Sequence, residues 1–286
     1  LSSEDTRPRN EIFGGPAAGN DSIPRVNVMR DDFGWEVPVE TVPVPSQGMI
    51  YPPDSPLYSA KTVDIRAMTA REEDILTSRA LLRKGTVITE LIESCLIDDS
   101  IRSRDLIVGD RNAVMIAIRI TGYGQTYTTR AMCPKCNTST SHEFNLADLG
   151  IKPLEIEPAV EGENRFEFTL PVTKKKVEFK FLTGADEEEM AAEAEKMRLL
   201  LPDMKTESTV TRRLEKTVLS VDGITDRNKI KTFVNNMPAL DSRKLRTYMT
   251  DHEPGVDMST TLECNSCGDT SKIQLPLGTG FFWPGE

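Results

Sequence analysis

Four cysteines in two matched pairs carry the strongest chemical signal in this chain. Cys133 and Cys136 enclose Pro134 and Lys135, and Cys264 and Cys267 enclose Asn265 and Ser266. That spacing lets one tight turn offer two sulfurs to a single ion while backbone amides in and after the turn point at the thiolates. Two such turns complete the tetrahedron of a structural zinc site, with Zn–S near ~2.3 Å. Turn-forming residues are needed beside the sulfurs, and Pro134, Asn137, Asn265, Ser266 and Gly268 supply them. Alternating segments flank both pairs, at 123–130 and 141–146 for the first and 258–263 and 271–277 for the second. This is the layout of a zinc ribbon, two knuckles on two β-hairpins. Cys133, Cys136, Cys264 and Cys267 are therefore expected to bind one structural Zn²⁺.

Competing uses of these residues are weaker. A redox dithiol expects its first cysteine at a helix N-terminus, whereas both pairs lie between strands. His142 stands close behind the first pair but reads as an ordinary strand residue, since four thiols already fill the shell. Cys95 shares a helical face with Ile88, Leu91 and Ile92 and reads as a small buried apolar residue. Four thiolates close the coordination shell and leave no water to activate. Only two histidines, His142 and His252, are present, and no phosphate-cradling glycine motif occurs. No enzymatic activity and no small-molecule substrate are expected.

Charge narrows the partners. The chain of 286 residues carries 45 Asp and Glu against 35 Lys and Arg, a formal net charge of −10. Nucleic acid and anionic membranes need clustered bases, so neither is the expected partner. Lys174, Lys175 and Lys176 read as a solvated hairpin tip. No apolar run is long enough to span a bilayer. Four of five cysteines in C-x-x-C pairs suit a reducing compartment and a metal better than a disulfide framework.

The elements that must position the sulfurs raise a spacing problem, because Cys136 and Cys264 stand 128 positions apart. A folded insertion with close termini avoids most of the closure entropy of so long a loop. Residues 151–257 read as that insertion. They hold a hairpin around Pro171 to Thr173, a helix opening at Thr183, and helices at 210–221, 226–236 and 241–251. Leu240 and Leu245 sit where a hydrophobic staple would fall. The run Asp186 to Glu189 reads as a solvated first turn matched to the helix dipole. Residues 61–150 read as a helical part leading to the first knuckle. A capping box at Thr69 and Glu72 opens a helix through Leu82 to Gly85. A second helix spans 88–95 and a third 110–120, with Asp110 as its N-cap. Prolines from Pro8 to Pro56 make residues 1–60 an extended arm, expected to order on a partner through Trp35 and several valines, the alternative being a plainly disordered tail. Residues 258–286 hold the second knuckle and a tail bearing Phe281, Phe282 and Trp283. At least one of these rings is expected to meet another element or subunit, the alternative being that all fold back on the core. The fold class is α+β, a zinc ribbon split by an α+β insertion.

Three stretches carry a resemblance: 46–76, 106–127 running directly into the first cysteine pair, and 262–284. Together they resemble the zinc-ribbon-bearing baseplate hub proteins of contractile-tailed bacteriophages, the T4-like baseplate hub assembly subunit group. The resemblance covers about residues 46–286. It implies a structural role at or near the tail hub, through contacts with other baseplate and tail proteins. The implied location is the virion tail baseplate, and the host cytoplasm during assembly. No catalytic residues come with it. The alternative reading is an intracellular zinc-ribbon adaptor that binds nucleic acid or a polymerase-like complex.

Overall fold

Alternating valines build the first sheet, in a stretch whose prolines point to an arm. The structure, a computed structural model, describes residues 28–30, 36–200, 209–275 and 279–282. Strands β1 (Val28–Arg30), β2 (Glu36–Pro43) and β3 (Thr62–Arg66) pair antiparallel with β2 in the middle. Val42, Val44, Ile50, Tyr51 and Leu57 are all buried. The expected arm therefore loses residues 36–60 to the core: the prolines there shape turns around apolar anchors instead of leaving the chain solvated. Trp35 and residues 1–27 lie outside the described residues.

Helices α1 (Ala70–Thr77), α2 (Arg79–Lys84), α3 (Val87–Cys95) and α4 (Val108–Tyr123) follow. The capping box of Thr69 and Glu72 opens α1 as expected. The single helix expected from there to Gly85 is two, because Ser78 adopts an extended backbone and caps α2 through its hydroxyl. Gly85, at φ +72°, ends α2 in the left-handed region. Glu72 also accepts from Arg66 at 2.7 Å and from Ser94 at 2.6 Å. Burial alone would raise its pKa, but these bonds with those from Thr69 outweigh it and hold the carboxyl down at about 2. Cys95 is buried in the core as expected, and burial pushes its thiol up to about 12.

The helix expected over 110–120 is α4, with Ala113, Val114, Ile116, Ala117 and Ile118 inaccessible. Its N-cap is Ile107, not Asp110. The helix starts earlier because the amide of Val108 donates to the carbonyl of Leu182 at 2.8 Å, satisfying an end that Asp110 was expected to cap.

Strands β4 (Thr126–Met132) and β5 (Ser139–Asn145) form the first cysteine hairpin, and β6 (Gly150–Lys152) follows. A three-stranded sheet joins β7 (Phe166–Thr169), β8 (Lys176–Phe179) and, across helices α5 (Gly184–Leu200) and α6 (Thr209–Thr217), β9 (Val218–Val221). Phe166, Phe179 and Phe181 pack there, the rings of Phe166 and Phe181 4.8 Å apart. The helix expected over 210–221 thus yields its last four residues to a strand. Val218 and Val221 gain burial and β8 offers them a free edge, which outweighs continued helical periodicity. The acidic start of α5 is a solvated face only at Glu187 and Glu189, which are exposed. Asp186 pairs with Lys180 at 2.7 Å and caps the Thr183 amide, while Glu188 accepts from Thr89 and pairs with Arg104 at 2.9 Å.

Helices α7 (Arg227–Asn236) and α8 (Ala239–His252) complete this region, α7 capped by Asp226. Leu240 is exposed, so no staple forms with Leu245. Asp241 instead accepts the amides of Val172 and Thr173 at 2.7 and 2.9 Å and fixes the β7–β8 turn. Strand β10 (Gly255–Asp257) pairs antiparallel with β6. Strands β11 (Ser259–Glu263) and β12 (Thr270–Gln274) form the second cysteine hairpin, and a 3-10 turn spans Thr279–Phe282.

Candidate metal centre

Two hairpin turns with the same hydrogen-bond pattern hold the four cysteines. In the first, the Cys133 amide donates to the Thr138 carbonyl at 3.0 Å and the Asn137 amide to the Cys133 carbonyl at 2.9 Å. In the second, the Cys264 amide donates to Asp269 at 2.9 Å and Gly268 to Cys264 at 2.8 Å. Asn137 and Gly268 occupy equivalent left-handed positions, at φ +55° and +68°. Asparagine and glycine are the residues that tolerate this conformation best, which is why these turns close tightly.

The four sulfurs all lie within 4.8 Å of one another. Across the hairpins, Cys133 Sγ is 3.8 Å from Cys267 Sγ and Cys136 Sγ is 3.7 Å from Cys264 Sγ. A tetrahedron with ~2.3 Å metal–sulfur bonds has sulfur–sulfur edges of about 3.8 Å. A disulfide would need ~2.0 Å, so all four are free thiols. Cys133 and Cys264 are buried, while Cys136 and Cys267 face solvent. Lys135 and Asp269 join the two turns by an exposed ion pair of 2.7 Å. The Thr138 hydroxyl and amide draw Cys136 down to about 6, and the amides of Cys267 and Ser266 lower Cys264. Cys267 goes the other way: the Asp269 amide favours its thiolate, but desolvation and the neighbouring thiols push it up to about 12. Thiolates this close repel, and a dication among them would remove that penalty. His142 stays out of the cluster, its Nε2 bonded to Thr140 Oγ1 at 2.5 Å. The structure thus brings together all four expected ligands and leaves the histidine aside.

Helix α4 positions both hairpins. A Cβ on Gly109 would stand 1.7 Å from the Pro254 carbonyl oxygen, so only glycine lets the chain entering β10 and then β11 cross here. Asp110 accepts from the Ser46 amide at 2.8 Å, the Ser46 hydroxyl at 2.5 Å and the Tyr51 hydroxyl at 2.6 Å. Arg111 donates to Thr89 at 2.8 Å and faces Glu187 at 3.5 Å. Arg119 donates to the carbonyls of Gly124, Thr126 and Phe281 at 2.7, 3.1 and 2.7 Å. One helix thereby clamps the N-terminal loop, the start of β4 and the C-terminal turn.

The family model described as T4 bacteriophage base plate protein matches residues 54–283. The chain belongs to that family. The match begins before α1 and runs through both cysteine pairs. No curated protein and no solved structure matches the chain.

In this base plate protein two of the three tail aromatics fold back on the chain's own core. Phe281 and Phe282 are buried, and Phe281 meets the edge of Tyr127 at 5.2 Å. Their first duty is to close the fold beneath the first hairpin; Trp283 lies outside the described residues. Sequence reasoning missed Asp110, Arg111 and Arg119 as organising residues. The signal was there in outline, as three charges inside an otherwise apolar helix.

Asp110 gives this clamp a pH dependence. Burial pushes its carboxyl up from 3.8 to about 6, against the opposing bonds from Ser46 and Tyr51. The folded state then holds a proton that the unfolded chain releases at lower pH. Stability from this group is fully present below about pH 4 and falls as pH rises towards 6, by up to ~1.4 kcal/mol per pH unit. Asp110→Asn removes the titration, and the Ser46 and Tyr51 hydroxyls can turn to receive the amide. Urea unfolding from pH 4 to 7 should show a shallower decline for the variant. Parallel curves for the two proteins would refute the assignment.

Proposed function

We propose that this base plate protein is a structural subunit at or beside the hub of a contractile phage tail, with no catalytic role. In this reading Cys133, Cys136, Cys264 and Cys267 bind one Zn²⁺, which staples the two hairpins as the halves of a split zinc ribbon. The chain acts through contacts with other baseplate and tail proteins, in the virion tail baseplate and, during assembly, in the host cytoplasm. The observation that carries the reading is the family match running through both cysteine pairs. The closed set of four sulfurs supports a staple, since a catalytic zinc keeps a position open for water. No helix among the described residues is long and apolar enough to cross a membrane. Mass spectrometry of purified virions tests the claim, and peptides from this chain are expected in mature particles. A protein made during infection yet absent from particles would be an assembly factor, and the subunit reading would fail.

We also propose that residues 151–257 are an α+β insertion into the ribbon. Pairing of β6 with β10, at the two ends of the segment, supports it, because it closes the base and spares the hairpins a long entropic loop. Expressed alone, the segment is expected to melt cooperatively with helical circular dichroism. A gradual, probe-dependent transition would show that it needs the rest of the chain.

A further inference from the structure

Three cations border a cavity away from the cysteines, where α6 and α8 approach the end of β8. A pocket of about 190 Å³ there is lined by Lys180, Arg213 and Arg246, with Glu253 as its one acid. Its apolar wall includes Phe181 and Met249, both buried. Asp186 and Glu187 stand beside this lining, so Lys180 and Arg213 have acids of their own, and the group without one among the described residues is Arg246. Internal pairing leaves it out. Lys180 is held by both oxygens of Asp186, at 2.8 and 2.7 Å, but Arg213 reaches Glu253 only at 3.8 Å. Arg246 has a buried Nε with no hydrogen-bond partner. A buried donor without a partner is costly, and such groups mark a place where a ligand or water belongs.

We propose that this pocket receives the carboxylate of an acidic side chain from a neighbouring tail protein, with Arg246 and Arg213 as its ligands. Planar guanidinium forks match carboxylates in geometry, and the apolar wall suits the methylene stem of a glutamate. The size fits one side chain, well below the ~300 Å³ at which small-molecule sites begin. Nucleic acid would instead require a stripe of bases tracking several phosphates. The proposal rests on the reading of the chain as a baseplate subunit and names the chemistry of one contact.

The test uses the full chain labelled with ¹⁵N-arginine, following the Arg246 Nε–H resonance, assigned by its loss in Arg246→Lys. A blocked tetraglutamate peptide is expected to shift this signal saturably, while tetraglutamine and inorganic phosphate leave it in place. Arg213→Met, read at this signal, and Arg246→Lys, read by isothermal titration calorimetry because it lacks the signal, should each weaken peptide binding about tenfold or more. Arg213→Met, at an exposed side chain, carries the comparison if Arg246→Lys proves unstable. An equal response to phosphate would mean an adventitious ion only and overturn the proposal. A signal unmoved by the peptide, as for an Nε satisfied by water, would also overturn it. In infected cells, Arg213→Glu should reduce incorporation of the chain into particles. Absence of the unaltered chain from virions would sink the subunit reading while leaving the peptide result standing. Presence in virions with no peptide response would sink only the pocket.

Discussion

Purified without chelators, the chain is expected to carry one zinc per molecule by elemental analysis, and Cys264→Ser to carry almost none. Cys264 is buried, and its backbone closes the second turn through Asp269 and Gly268. A serine hydroxyl there stays protonated at neutral pH and offers a hard oxygen in place of a soft thiolate. Metal bound at a structural site is folding free energy, with apparent values of about 10–16 kcal/mol in small zinc domains. That rivals the 5–15 kcal/mol net stability typical of a whole domain. Even ~4 kcal/mol lost would lower the melting temperature by about 8–16 °C at this size. The two hairpins, which the exposed Lys135–Asp269 pair also joins, should separate first. Cys95→Ser is the control: it should leave zinc content unchanged, since Cys95 sits in the core away from the cluster. A wild-type chain with metal content near zero would end the zinc proposal.

The second large effect is expected at Arg119. Its guanidinium reaches three backbone carbonyls, and the Tyr123 ring lies 5.3 Å from its centre. Burial lowers its pKa, yet a guanidinium stays protonated at any pH the fold survives. Arg119→Met fills much of the same volume but strands those carbonyls, at about 1–3 kcal/mol for each acceptor left without a partner. A net loss of roughly 3–5 kcal/mol is expected in denaturant unfolding, with zinc content retained. Removing residues 279–286 takes away the Phe281 carbonyl and two buried rings, and should cost a similar amount. Because the two changes break a shared contact, their combination should cost clearly less than the sum. Strict additivity, or a loss below about 1 kcal/mol for Arg119→Met, would show that the clamp is not what holds the C-terminal turn. Truncation of the tail therefore tests folding before it tests assembly, which changes how an assembly defect in such a variant should be read.

Residue types and short spacings determined much of this protein in advance. The four cysteines and the turn residues beside them specified a shared cluster, because each pair needs only its own few neighbours to fold into a sulfur-presenting turn. The capping box at Thr69, the helix over 226–236 and the hairpin of β7 and β8 were legible for the same reason: each is settled by contacts within a few residues. Tertiary structure decided the rest. Asp110 looked like a cap and became a buried acceptor because Ser46 and Tyr51 arrive from about sixty positions earlier. Residues 218–221 became a strand because β8 presents them an edge, and residues 36–60 joined the core because β3 pairs with β2. Phe281 turned inward because Arg119, 162 positions away, holds its carbonyl. In each case a partner distant in the chain supplied more free energy than the local preference it displaced, and no local pattern encodes which distant partner will arrive.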